Sequence, residues 1–381
     1  MDPERPIRQE PFSSNALRLT GREWLTAAAF FAAVAIALPT VWRGIERFDP
    51  GPDYRIPYGL SEDYWLFDRY GRAVSDRGRI LLIGDSFVWG QFVDSNETLT
   101  HHLNDRAGEE RFANLGLDGA YPIALEGLIR HYGRSIRGRD VILHLNLLWL
   151  SSPEADLQVE TVVRFNHPRL VSQFVGRIPC YQATLSSRVG VLLERSVPLL
   201  GWTRHLRGTG FENSDLPHWT LDHPYTLPLP RILPGSGGLG DDRHPDVRPR
   251  EEGGRPLQRL PWVELESSRQ WRAFLKLVDL LRARGNRVVV MTGPLNEHLL
   301  DLESRGTYRR LLEEAVSRLQ RMGLDVWEAP LLPAALYADT SHPLDEGYDL
   351  LADGLWRYLM ATEEGLPADH QDRETTARLI R

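Results

Sequence analysis

Five short apolar runs separated by helical patterns constrain this chain more than any other feature. They are "RILLIGD" (79–85), "RFANLGL" (111–117), "DVILHLNLLWL" (140–150), "RVVVMTG" (287–293) and "LDVWEAP" (324–330). A brief continuous apolar run without alternation is the pattern of a strand buried on both faces, as in a parallel sheet. Between them, "DSNETLTHHLNDRAG" reads as a helix that Asp94 or Ser95 can cap and Gly108 closes. "YPIALEGLIRHYGRSIR", a segment from about 264 to 284, another around 304–322, and "DEGYDLLADGLWRYLM" read as helices too. Strands alternating with helices predict a parallel sheet with helices on both faces. The expected unit is one α/β domain over 77–362.

That unit is interrupted. Residues 151–262 hold many prolines and glycines, with "LDHPYTLPLPRILPGSGGLGDDRHPDVRPREEGGRP" as the extreme, and read as a loop-rich insertion. Its Trp202, Trp219 and Trp262, with "RFNHP" (164–168), could line a substrate lid or stack on a sugar; burial against the main domain is the plainer account. The string "GSGGLG" (235–240) matches a dinucleotide fingerprint in letters only, since no strand precedes it and no helix follows. Neither Asp241, Asp242 and His244 nor the adjacent His101 and His102 has the spacing of a metal site. No cofactor is expected.

The N-terminus is of another kind. "WLTAAAFFAAVAIALPTVW" (24–42) carries no charge and has a tryptophan at each end, as a bilayer-spanning helix does. Arg5, Arg8, Arg18 and Arg22 precede it and Arg43 and Arg47 follow, a weak bias toward an inside N-terminus and an extracytoplasmic domain. A cleaved signal peptide or a buried core helix would also fit the composition. Residues 1–23 then form a polar tail, 43–76 a connector, and 363–381 a polar C-terminal tail. The net charge of -7 argues against nucleic acid as a partner. The single cysteine, Cys180, excludes an intramolecular disulfide and reads as a structural thiol.

In an open parallel sheet, functional groups gather at the carboxyl ends of the strands. The first strand ends in Gly84-Asp85-Ser86, the second runs into "NLGLDG" (114–119), the third carries Asn146, and "YADTSHPLDEGY" (337–348) follows the fifth. A serine hydroxyl becomes a nucleophile when an imidazole takes its proton. His342 could do so, and Asp339, three residues earlier, could orient it. The backbone N–H groups of Ser86 and Gly119 and the Asn146 amide could receive an oxyanion. At the fourth strand's end, Asn296 and His298 could touch substrate, as could Asp85; a capped helix start explains the first two almost as well.

"GDSF", "NLGLDG", the asparagine of "HLN" and "DTSHP" stand in the order of the four blocks of the SGNH (GDSL-like) hydrolase superfamily, which this chain resembles over roughly 79–150 and 287–360. The resemblance implies a flavodoxin-like five-stranded sheet and esterase, lipase, deacetylase or acyltransferase activity. By motif position, Ser86 is the nucleophile, His342 the base, Asp339 its partner, and Gly119 and Asn146 the oxyanion donors. The third block departs from its usual Gly-x-Asn-Asp, reading His144-Leu145-Asn146-Leu147. The expectation is a membrane-anchored serine hydrolase cleaving esters of a small molecule or polysaccharide. Its rivals are an O-acyltransferase acting on a polysaccharide and a catalytically silent cell-envelope assembly factor.

Overall fold

The computed structural model describes residues 19–46, 48–232 and 257–364. Helix α1 (Gly21–Ile45) is followed by α2 (Tyr64–Asp76), β1 (Ile80–Gly84), α3 (Ser86–Trp89), α4 (Leu99–Ala107), β2 (Phe112–Gly116), α5 (Pro122–Tyr132) and β3 (Asp140–Leu145). The insertion carries α6 (Leu185–Ser196), α7 (Pro198–Phe211), α8 (Leu216–Asp222) and α9 (Pro228–Ile232). Then come α10 (Arg269–Ala283), β4 (Arg287–Thr292), α11 (Leu302–Arg321), β5 (Asp325–Glu328) and α12 (Asp345–Glu364).

The five strands pair in parallel in the order β2-β1-β3-β4-β5, the flavodoxin-like arrangement. Alternate strand residues separate the core into two layers. Leu81, Ile83, Val141 and Leu143 face α2, α5 and α10, whereas Leu82, Ile142 and Met291 face α4 and α12. Burying each such side chain contributes about 1.5–3 kcal/mol, so the sheet's register is held from both sides. The strand order reverses between β1 and β3, which puts a crevice at the carboxyl ends of those strands.

Several element boundaries differ from the sequence expectation. The α4 helix is capped by Thr98, whose hydroxyl accepts from His101 N–H; Asp94 instead caps a short 3₁₀ turn at Ser95–Glu97. Residues 43–76 are no free connector. Asp63 caps α2 by accepting from Leu66 N–H at 3.0 Å, and Leu66, Phe67, Tyr70 and Val74 fill the core at helical spacing. The insertion, expected to be loop, carries four helices among its described residues; Thr184 caps α6, and Pro198, Pro217 and Pro228 sit in the first turns of the other three, where no N–H is missed. Trp219 is buried, Trp262 packs on Tyr308 and Trp202 on Trp42, so these tryptophans pack rather than form a lid. Cys180 is buried, and burial pushes its thiol up. The 235–240 glycine string and Asp241, Asp242 and His244 lie outside the described residues.

Candidate active site

At the carboxyl edge, β1 ends in a turn that lifts Ser86 onto the first position of the four-residue helix α3. Gly84 must be glycine, since a Cβ there would lie 2.4 Å from the Val88 side chain and 2.8 Å from that of His144. Ser86 Oγ stands 2.8 Å from His342 Nε2. His342 Nδ1 lies 2.9 and 2.8 Å from the two oxygens of Asp339, which also accepts from the backbone N–H of Ser341 and His342. Ser86, His342 and Asp339, separated by some 250 residues of chain, thus form one continuous hydrogen-bonded line.

The electrostatics follow from this packing. Burial opposes the charged form of His342, but the Asp339 carboxylate outweighs it and the imidazole is raised above its ordinary value. Burial likewise opposes ionisation of Asp339, yet the hydrogen bond and charge of His342 and the two backbone donors hold it below the usual carboxylate range. Ser86 and His342 are each only 7% exposed. The ring of Phe92 stands edge-on to His342 at 5.6 Å.

Asp85, a possible substrate contact by its place in the sequence, turns its side chain inward. Its carboxylate is 2% exposed and fully occupied from within. One oxygen accepts from Phe87 N–H at 3.1 Å and faces His144 Nδ1 at 3.1 Å; the other accepts from Asn146 Nδ2 at 2.8 Å and Trp149 Nε1 at 2.9 Å. Burial would raise Asp85, but His144 and these donors outweigh it and hold the group far below the usual range. His144 stacks on Phe87 and braces Asp85, while its Nε2 faces the Gly293 carbonyl at 2.8 Å. Asn146 spends one amide hydrogen on Asp85 and accepts from Leu148 N–H at 2.9 Å, which leaves its second amide hydrogen uncommitted.

Asn296, another possible contact, packs beneath the loop of Asp339. It is buried, and its Nδ2 donates to the Asp339 carbonyl at 3.1 Å while its N–H donates to Thr340 O at 2.8 Å. It therefore positions the loop that carries Asp339. His298 is exposed, with Nε2 3.1 Å from the Leu332 carbonyl. Gly119 has φ +65°, and a Cβ there would fall 2.1 Å from Asn166 Nδ2. The insertion thus lays the Asn166 amide on the turn after β2, pinned by His167, whose Nε2 lies 2.7 Å from the Asp118 carbonyl and Nδ1 3.1 Å from Tyr64 Oη. Trp149 and Phe92 had no motif to mark them; Asn166 and His144 stood in strings already singled out. Among the described residues, Glu264, Glu266 and Glu314 form the cluster closest to a metal geometry, but they are surface groups paired with Arg310 and Arg318.

Together these observations define a doubly wound α/β protein with a Ser–His–Asp line at its topological switch point. No family profile matches the sequence, and no curated protein matches it. Among solved structures, the chain is similar to one described as a lipolytic protein of the G-D-S-L family from Desulfitobacterium hafniense DCB-2, at 11% identity and a TM-score of 0.34, covering 74% of this chain and 98% of that one.

Proposed function

We propose that this protein is an SGNH-like serine hydrolase that cleaves acyl esters. The observation that carries the reading is the 2.8 Å approach of Ser86 Oγ to His342 Nε2, with Asp339 on the imidazole's other nitrogen. Ser86 Oγ attacks the ester carbonyl and its proton passes to His342 Nε2. The oxyanion is received by the N–H groups of Ser86 and Gly119 and by the free amide hydrogen of Asn146. His342 then protonates the leaving alcohol, and water resolves the acyl-enzyme. Helix α1, one apolar helix suited to a single span or a signal sequence, is read here as a retained anchor with the domain on the extracytoplasmic side. The near closure of Ser86 and His342 to solvent favours a second reading, transfer of the acyl group to a sugar hydroxyl, since a dry site protects an acyl-enzyme from water.

The test is covalent labelling of the full-length protein in detergent by a fluorophosphonate. The expected result is a single adduct on the Ser86 peptide, lost after Ser86→Ala; a folded protein that takes no label sinks the hydrolase and the transferase alike. Acetyl release with and without a sugar acceptor separates those two. A pH prediction follows from the imidazole. Neutral His342 is the base, and its value lies above the ordinary 6.5, so kcat/KM should fall as pH drops through a midpoint above 6.5. In Asp339→Asn the midpoint should move down, because the carboxylate that raises it is gone. A midpoint unmoved by that substitution would show that another group governs the profile.

A further inference from the structure

The helical insertion is built inside out. On α6, Leu185, Val189, Leu192 and Leu193 recur at i, i+4, i+7 and i+8 and form one exposed apolar stripe. The polar side of the same helix faces the protein: Arg188 donates to the carbonyls of Gln173 and Tyr181, Arg195 to those of Arg169 and Val171, and Glu194 pairs with Arg169 and Arg204. The pattern is regional. Ten large apolar side chains are exposed between residues 185 and 229, against four across all of 257–364, so the excess belongs to the insertion rather than to the surface at large.

The same helices are fastened to α1. Trp42 and Trp202 meet at 5.6 Å, and one turn further along both helices Glu46 lies 2.9 Å from His205 Nε2. His205 Nδ1 faces Asp63 at 2.6 Å, and Arg69 donates to Glu46, so the exit of α1 is clamped to α2 and α7. The register is parallel, 42 with 202 and 46 with 205. It therefore sets the first turn of α7 opposite Pro39, which is buried. The apolar stretch 24–42 ends at Trp42, so a bilayer centred on it has its boundary there, and Trp202 and the first turn of α7 lie at that boundary.

We propose that the α6–α9 insertion is an interfacial membrane element: its apolar stripe enters the leaflet on the carboxyl-terminal side of α1, with acyl chains as its occupant. This inference rests on the reading of α1 as a retained span. Attachment to that span selects lipid over a second copy or another protein, because α7, on which α6 packs, is fastened to the end of α1 and holds the stripe's helix at the bilayer boundary. The domain is then held rigidly on the bilayer surface, with no slack tether between α1 and the site.

The test places single fluorophores on the full-length chain in phosphatidylcholine vesicles, with and without acyl chains brominated at positions both near the headgroup and near the chain ends. Labels go on Phe31→Cys in α1, Leu192→Cys in α6, Leu221→Cys in α8 and Leu350→Cys in α12; native labelling spares Cys180, which is buried. The labels at 31, 192 and 221 are expected to lose most of their emission to bromine, and the label at 350 none. Quenching at 31 alone overturns the proposal while the anchor stands, and the apolar stripe then faces a protein or a second copy. Quenching at neither 31 nor 192 and 221 means that α1 itself does not span, and the proposal falls with it.

Discussion

Ser86→Ala is expected to lower kcat for a short-chain aryl ester by about 10⁴-fold or more, with KM and thermal stability nearly unchanged. The size follows from what the hydroxyl does. In the proposed mechanism it forms the covalent bond, and the alternative, attack by unactivated water, retains only the help of oxyanion donors and binding. The small effect on stability follows from the site. Ser86 Oγ makes its contact with His342, so alanine removes one hydrogen bond worth about 1 kcal/mol and leaves no cavity of consequence. The companion substitution sharpens the result. Ser86 and His342 act as a unit, so Ser86→Ala/His342→Ala should be scarcely slower than either single variant. Multiplicative losses would show that the two residues work independently, and the hydrogen-bonded line would then be a structural bridge.

The fold was legible because its strands are buried on both faces: "LLIG" and "VVVM" have no polar side to misplace, and helices between them leave only parallel pairing. The serine, histidine and acid were legible for a different reason, since each stands at a strand end that the fold brings to one edge. What was not legible depends on contacts between distant segments. The Asp85 network joins residues 85, 144, 146 and 149, and nothing in the string "LHLNLLWL" says that a tryptophan nitrogen reaches back to the end of the neighbouring strand. The insertion deceived by composition. Proline counted as a loop signal, yet each proline at a helix start occupies the position where its lost N–H costs nothing. The residues 43–76 deceived by polarity, because α2 shows water only one face while its tyrosines and Phe67 fill the core.

Asp85→Asn is expected to be the most damaging substitution that leaves the three reacting groups in place. The carboxylate gathers Phe87 N–H, His144, Asn146 and Trp149 in a site shut off from water. An asparagine keeps one acceptor oxygen and turns an amide toward the remaining donors, so at least one buried donor is orphaned. Leaving a buried donor unsatisfied costs about 1–3 kcal/mol, which denaturant unfolding would read directly. The catalytic consequence is separate. Asp85 aims Asn146, the oxyanion donor of the proposed mechanism, and losing one such donor costs about 10²–10³-fold in kcat. Trp149→Phe calibrates both effects, since it withdraws a single donor and should cost only about 1–2 kcal/mol. The pH dependence has a definite sign. The folded value of Asp85 lies below its ordinary 3.8, so its contribution is present in full above that value, fades as pH falls below it, and is gone only beyond the depressed folded value. Wild type should therefore show an acid-side loss of stability that Asp85→Asn lacks. Equal stability and equal kcat in the two proteins would mean that the network is ornamental and that Asn146 is oriented by its own loop.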